Sequence, residues 1–184
     1  AGPRVVVNTR PHGVLQVEAP EDAQIFAFVG RGPAIAEDLQ VGVAYEFVAV
    51  ADGRAPTRTV VPADAQWTPP EGGEERALYE LAMQTGDEDV AFEEIELGPT
   101  RLSRDAMGTP SGGLGNVRVV TTPPGARVFL LIGFGSARVE DMAADEPVEL
   151  LVYQEGEAVR RVFVGPSDWI EGEEGLHAEV SVSF

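Results

Sequence analysis

The sequence predicts an all-β protein composed of two tandem small antiparallel β-sandwich domains. Three observations predict it: an internal repeat, short apolar runs separated by turn residues, and little helical periodicity. A shift of 103 positions aligns residues 14–61 with residues 117–164 without a gap. The matched pairs are Val17 with Val120, Pro20 with Pro123, Ala23 with Ala126, Phe26 with Phe129, Gly53 with Gly156, Arg58 with Arg161 and, after one deletion, Trp67 with Trp169. Matches at a fixed separation indicate a duplication.

Strands are clearest in the second copy. Residues 117–120 form a β-branched run, and Gly125 supplies the positive φ that a type II turn requires after Pro124. The next apolar runs are residues 127–132, 147–153 and 159–164, followed by the alternating residues 178–184. Short runs with period two, bounded by turn residues, are typical of strands in an antiparallel sandwich.

The first copy repeats this plan with Tyr45–Val50 and Thr57–Val61. Residues 76–84 are ambiguous alone, because Ala, Leu, Glu and Met favour helix. Their aligned partner alternates plainly, so the repeat predicts a strand with Tyr79, Leu81 and Met83 pointing inward.

The repeat also predicts a division of the chain. The first domain is expected over residues 1–86, an acidic and glycine-rich linker over 87–114, and the second domain over 115–184. Residues 4–8 could add an edge strand to the first domain, and residues 90–97 could dock as a strand. The rest of the linker is expected to be flexible.

The turns of the two copies resemble the motif that names the PEGA family. They read Pro123, Pro124, Gly125, Ala126 in the second copy and Pro20, Glu21, Asp22, Ala23 in the first. In that family the motif follows a short strand and precedes a longer one that ends near a glycine, as residues 128–132 do before Gly133. The first copy has Asp22 in place of the glycine, and Asp tolerates positive φ better than most residues.

This resemblance covers most of each repeat and implies small prealbumin-like or immunoglobulin-like sandwiches. Such modules occur on bacterial surface, periplasmic and kinase-linked proteins, where they mediate binding or act as spacers. The resemblance therefore implies a periplasmic or cell-surface location, with any signal peptide or anchor outside the given residues. It supplies no catalytic residues.

Charge and composition narrow the possible partners. The chain has 31 acidic and 13 basic residues and a net charge of −18, and every basic residue is an arginine. Such a surface repels nucleic acid and anionic membrane faces. No apolar run approaches the ~20 residues that span a bilayer. A protein or a cell-wall glycan is the expected partner, and no membrane insertion is expected.

The sequence carries no recognisable catalytic or cofactor motif. The chain has no cysteine, and its two histidines, His12 and His177, have no metal-ligand spacing. The Gly-Arg-Gly and Gly-Phe-Gly segments at residues 30–32 and 133–135 resemble phosphate loops, but no helix pattern follows them. They are interpreted as strand ends that bend over the sandwich. No enzyme activity and no cofactor are expected.

Acidic clusters are the most plausible cation sites, because Ca²⁺ prefers six to eight hard oxygen ligands. None matches the spacing of an EF-hand loop, so Ca²⁺ is a weak alternative to solvated loops. The clusters are Glu37 with Asp38, Glu140 with Asp141, and residues 71–75, 87–96 and 171–174.

Trp67 and Trp169 occupy equivalent positions before the last strand of each copy. Indole rings stack on sugars and anchor interfaces, so both are possible binding residues. The other interpretation is that each ring closes one end of a small core.

These observations favour a non-enzymatic binding or spacer module. One alternative is a carboxylate-based hydrolase using a pair such as Glu37 and Asp38. Adjacent residues of a strand point to opposite faces, which argues against that pair. The other alternative is a regulatory extension of a kinase or secretion protein.

Overall fold

The computed structural model describes residues 12–70, 76–86, 97, 102, 108–173 and 175–184. Within these ranges the chain consists of strands and one 3-10 turn, Pro166–Asp168, which confirms the all-β prediction. None of the described residues form a helix long and apolar enough to cross a membrane. The strands are β1 (His12–Glu18), β2 (Gln24–Arg31), β3 (Ala34–Gln40), β4 (Tyr45–Val50), β5 (Thr57–Val61), β6 (Ala77–Gln84), β7 (Leu114–Thr122), β8 (Arg127–Phe134), β9 (Ser136–Ala143), β10 (Val148–Tyr153), β11 (Arg160–Val164), β12 (Ile170–Gly172) and β13 (Gly175–Ser181).

Antiparallel pairing builds a central sheet in the order β5-β4-β8-β2-β10-β11. Strands β4 and β5 belong to the first copy, and β10 and β11 belong to the second. The two strands between these hairpins, β8 and β2, are exchanged between the copies. Strand β8 of the second copy lies beside β4, and β2 of the first copy lies beside β10.

The pairing of β2 with β8 is symmetric about one residue pair. Ala27 lies opposite Leu130, which is its own equivalent in the other copy. The flanking pairs repeat the symmetry: Phe26–Leu131 with Phe28–Phe129, Ile25–Gly133 with Gly30–Val128, and Gln24–Phe134 with Arg31–Arg127. A self-complementary contact of this kind is typical of a two-fold interface, and here it lies within one chain.

Two smaller sheets cover the central sheet, and each contains strands of both copies. In the three-stranded sheet β3-β7-β6, the second copy's β7 pairs antiparallel with β3 and parallel with β6. The second, β9-β1-β13-β12, continues from the central sheet through one pair of β8 and β9, Phe134 with Ser136; in it the first copy's β1 pairs antiparallel with β9 and parallel with β13. The first two strands of each copy are therefore exchanged between two structural halves.

Two apolar cores lie side by side on one face of the central sheet. The first core lies under β3-β7-β6 and the second lies under β9-β1-β13. Leu130 packs against the first core and Ala27 against the second, and opposite residues of an antiparallel pair point to the same face. Fully buried members are Phe47, Val117, Val119 and Val128 in the first core and Leu15, Val17, Ile25 and Leu150 in the second.

A third core covers the opposite face of the central sheet. It includes Phe26, Phe129 and Leu151 and is closed by Leu97 and Leu102, which are 5% and 8% exposed. Leu97 belongs to the segment expected to dock. Leu102 falls in the part of the linker expected to be flexible, and its burial corrects that expectation for this residue.

The predicted arrangement of two consecutive domains, one from each copy, is not confirmed. The pairing of β1 with β13 and of β7 with β6 joins residues from the two predicted domains, 1–86 and 115–184. A boundary in the sequence therefore does not separate two independently paired sets of strands. The physical reason is that β2 and β8 pair with each other at the centre of the molecule. The strands that precede them, β1 and β7, therefore lie in the half formed by the other copy.

Most predicted strands are confirmed. Strands β4 and β5 have the expected bounds, and β6 is a strand with Leu81 and Met83 buried and Tyr79 partly buried. Strands β3 and β9 were not predicted, because their apolar alternation is interrupted by acidic residues such as Glu37 and Glu140. Residues 4–8, 71–75 and most of 90–97 lie outside the described residues.

The structure also corrects the alignment of the first strands. Leu15 faces Val139, and Val117 faces Ala36, so Leu15 is equivalent to Val117. The separation is therefore 102 positions in β1 and β7, and the equivalent of the buried Val17 is Val119, whereas Val120 is 41% exposed. The second copy has one more residue in the turn that follows.

We expect the two copies to stay together after the connection between them is cut. A protease site inserted between residues 103 and 107 would give two fragments that share both flanking sheets. Size-exclusion chromatography with light scattering should show one complex with the mass of the intact chain, and urea should unfold it in one transition. Separation of the fragments without denaturant would contradict the exchanged pairing.

Candidate functional site

Four large apolar side chains are exposed on the outer surface of the sheet β3-β7-β6. Ile35, Leu78, Leu114 and Val120 are 51%, 39%, 37% and 41% exposed. All four point away from the first core, because the alternate residues of each strand are the ones that pack into it. We call these four side chains the apolar face.

The register of the sheet places the four side chains around two polar residues of β7, Asn116 and Arg118. On β7, Leu114 and Val120 flank Asn116 and Arg118; Leu78 lies opposite Asn116, and Ile35 lies opposite Arg118. The ion pair of Arg118 with Glu80, at 3.2 Å, lies among the four apolar side chains, and the pair of Arg76 with Asp38, at 2.6 Å, lies near Leu114 at one end. The surface thus mixes exposed apolar side chains with charged groups, as protein interfaces also do.

The other half of the molecule carries polar residues at every equivalent position. The register of the two sheets gives these equivalents: Arg138 for Ile35, His177 for Leu78, His12 for Leu114 and Glu18 for Val120. The two halves share backbone pairing and buried residues but differ in this outward row. A backbone that accepts four polar residues does not require the four apolar ones for folding.

A groove of about 490 Å³ lies on this polar surface. Its floor includes Gln16, Arg138, His177 and Glu179, and the turn between β12 and β13 forms one wall. Both histidines of the chain thus lie on the polar surface of the second half. The imidazole of His177 and the carboxylate of Glu179 in this groove are exposed, so it does not offer a hydrolase a buried acid or base from these two residues.

A second, smaller cavity of about 190 Å³ lies beside the second copy's turn. Arg31, Arg54 and Arg127 line it together with Asp52 and residues 123–126. The equivalent end of the other half is acidic or neutral at these positions, with Glu155 for Asp52 and Glu157 for Arg54. The Arg31 Nη1 donates to the Gly125 carbonyl at 3.2 Å, so this guanidinium helps to hold the turn.

The tryptophans pack into the two lateral cores. Trp67 is partly buried against the first core and Trp169 against the second. Each ring lies over a glycine of the exchanged strand: a Cβ at Gly115 or Gly13 would come within 2.6 Å of the ring. Each Nε1 is buried and has no hydrogen-bond partner among the described residues. This geometry supports the interpretation that each ring closes one end of a core.

The turn residues of the family motif also take structural positions. Gly125 has φ of 85°, as predicted, and Ala23 and Ala126 are buried. Asp22 does not adopt positive φ; among the described non-glycine residues only Asp38 does. The first turn closes instead with the Ala23 N–H donating to the Pro20 carbonyl at 2.9 Å, a bond that type I turns also form.

The acidic candidates that the structure describes do not converge on a common point. Glu37 is exposed, Asp38 pairs with Arg76, and the Arg138 Nε lies 3.5 Å from Glu140. The side chain of Asp141 and residues 71–75, 87–96 and 174 lie outside the described part. Within the described part, no three His, Asp or Glu residues are placed to hold a metal ion. The glycines at 30–32 and 133–135 lie where β2 turns into β3 and β8 turns into β9.

Two buried glutamates, each paired with arginine, were missed by sequence analysis. The Arg58 Nε donates to Glu46 at 2.9 Å, and its Nη2 donates to Gln24 of the exchanged strand β2 at 2.7 Å. In the other half, Glu149 accepts from Arg161 at 2.8 Å and from Arg127 of the exchanged strand β8 at 2.9 Å. The signal for both was the matched pair Arg58 and Arg161, together with a glutamate at the same place in each copy.

Tyr45 links the first core to β3. Its hydroxyl oxygen accepts a hydrogen bond from the Gln40 N–H at 2.7 Å. Burial raises the pKa of Tyr45 above its ordinary value, and the Gln40 bond opposes that change. The folded protein therefore loses stability as the pH rises past the ordinary tyrosine pKa, because the unfolded chain releases this proton first.

A scan of protein-family models, a search of curated proteins and a search of solved structures each found no match to this chain.

We expect Glu46→Ala to destabilise the fold strongly. Glu46 is fully buried, and its loss leaves the Arg58 guanidinium without its carboxylate. Removing one partner of a buried pair typically costs about 3–5 kcal/mol, whereas Glu80→Ala in the exposed pair with Arg118 should cost less than about 1 kcal/mol. Urea unfolding followed by circular dichroism measures both. Equal, small losses would show that the Glu46 pair is not important for stability.

Proposed function

We propose that this chain is a non-enzymatic protein-binding module and that the apolar face is its contact surface. The observation that carries the proposal is the difference between the two halves at equivalent positions. Ile35 and Val120 are exposed where the other half has Arg138 and Glu18. Large apolar side chains that gather on one exposed surface mark interaction sites on soluble proteins.

The partner that fits is a protein segment with apolar side chains flanked by Lys or Arg. The chain has a net charge of −18, and Glu37 and Glu80 lie beside the apolar face. A second copy of the chain would bring the same negative charge to the contact, and like charges disfavour association. The charge therefore favours a basic partner over self-association.

A glycan partner has less support. The two rings predicted to stack on a sugar, Trp67 and Trp169, are packed against cores with their Nε1 atoms buried. The hydrolase alternative also has less support: His177 and Glu179 of the groove are exposed, and the buried carboxylates of the described part, Glu46 and Glu149, are engaged by arginines. The periplasmic or cell-surface location and the regulatory extension both stay predictions.

We expect the apolar face to bind a cationic amphipathic strand. The probe is a fluorescent octapeptide of alternating lysine and valine, compared with alternating glutamate–valine and lysine–serine peptides. Fluorescence anisotropy should show saturable binding of the lysine–valine peptide only. The double variant Ile35→Arg with Val120→Glu should weaken binding about tenfold or more, a loss of about 1.4 kcal/mol.

The other half provides a matched control. Both substitutions introduce residues that this backbone already holds at Arg138 and Glu18, so the fold should be kept. The reciprocal variant, Arg138→Ile with Glu18→Val, should create a second binding surface. Binding that survives the first double variant, or an unmodified chain that binds none of the peptides, would exclude the apolar face as the contact surface.

A further inference from the structure

The first and last long strands of the described chain are parallel neighbours. Strand β1 pairs with β13 from Gly13 opposite Leu176 to Glu18 opposite Ser181. The Val182 N–H adds a hydrogen bond to the Glu18 carbonyl at 2.8 Å. Because the strands run in the same direction, the start of β1 and the end of β13 lie at opposite ends of the pair.

This geometry determines how the fold responds to tension. A pull on the chain before β1 and after β13 slides the two strands past each other, so all their hydrogen bonds are strained together. A pull that unzips a strand pair breaks the bonds one after another, each over about 3.3 Å of strand. Strands loaded in shear therefore withstand a higher force than strands that are unzipped.

We propose that the β1–β13 pair is a mechanical clamp that bears tension applied to the chain before β1 and after β13. This function is separate from partner binding and needs no ligand. Strand β1 is suited to it because β9 holds its other edge and because Leu15 and Val17 are fully buried. Sliding β1 would also drag these side chains out of the second core.

Because of the strand exchange, tension applied before β1 and after β13 acts directly on only one of the two equivalent parallel pairs. The other pair, β6 with β7, has the same geometry from Ala77 opposite Gly115 to Gln84 opposite Thr122. In two consecutive domains without exchange, tension would act on both parallel pairs, because each pair would join the first and last strands of its own domain. Here the tension enters β1 and leaves β13 directly, so the half with the apolar face is not loaded first.

Single-molecule force spectroscopy on the full chain tests the clamp. The chain has no cysteine, so two introduced cysteines define the pulling points uniquely. Handles at His12→Cys and Ser183→Cys load β1 and β13 in shear. Handles at His12→Cys and Glu173→Cys pull from the same end of the two strands and unzip them. We expect a several-fold higher rupture force in the first geometry, and equal forces would overturn the proposal.

A matched pair of variants separates mechanical from general stability. The Gln16 N–H points toward β13, on the same side as the Glu18 carbonyl that bonds to Val182. The equivalent N–H in β7 belongs to Arg118 and points toward β6. Proline at either position removes one ladder hydrogen bond of about 0.5–1.5 kcal/mol. With the shear handles, Gln16→Pro should unfold roughly two- to tenfold faster at constant force, whereas Arg118→Pro should leave that rate nearly unchanged.

Urea unfolding of the same two variants provides the control, since both should lose similar stability. Equal acceleration under force by the two prolines would overturn the clamp. If either proline variant does not fold, the comparison of the two handle geometries on the otherwise unmodified chain decides the proposal by itself.

Discussion

The antiparallel pairing of β2 with β8 is the contact on which the rest of the structure depends. Because Ala27 lies opposite Leu130, its own equivalent, the two copies meet about a two-fold axis at the middle of the central sheet. Each turn before these strands is then anchored by the other copy: the Gly135 N–H donates to the Ala23 carbonyl at 2.8 Å, and the Gly32 N–H donates to Ala126 at 2.8 Å. Strands β1 and β7 therefore complete the opposite half, and neither copy contains a full set of core strands by itself.

Duplication of this kind separates what the core requires from what the surface can vary. Leu15 and Val17 in one half and Val117 and Val119 in the other are all fully buried, so packing limits both pairs to aliphatic residues. The outward positions of the same strands have no such limit, and the halves differ there. The buried arginine–glutamate pairs follow the same logic: both tie an exchanged strand to the outer hairpin of the central sheet, although Gln24 in one half replaces Arg127 in the other.

Local patterns predicted most strands but could not predict their partners. Tyr45–Val50 is a short apolar run followed by a turn, residues 77–84 were assigned through their aligned partner in the second copy, and both are strands. The exchange has no such signature, because β6 can pair with β1 or with β7 and both present aliphatic residues at the same spacing. The apolar face was missed for a related reason. Val120 was aligned with the buried Val17, and only the register of the sheet shows that Val120 points outward.

The exchange also gives the two halves different mechanical surroundings, although their strand pairing is equivalent. Tension that enters through β1 and leaves through β13 acts on the half that carries the polar surface. The sheet β3-β7-β6 is attached to this path through the central sheet, so its outer surface keeps its shape until the β1–β13 pair yields. A bound partner on Ile35 and Val120 would therefore stay attached while the chain is under load. In two consecutive domains without exchange, each domain would bear the full tension. The domain that carries the apolar face would then be loaded as directly as the other.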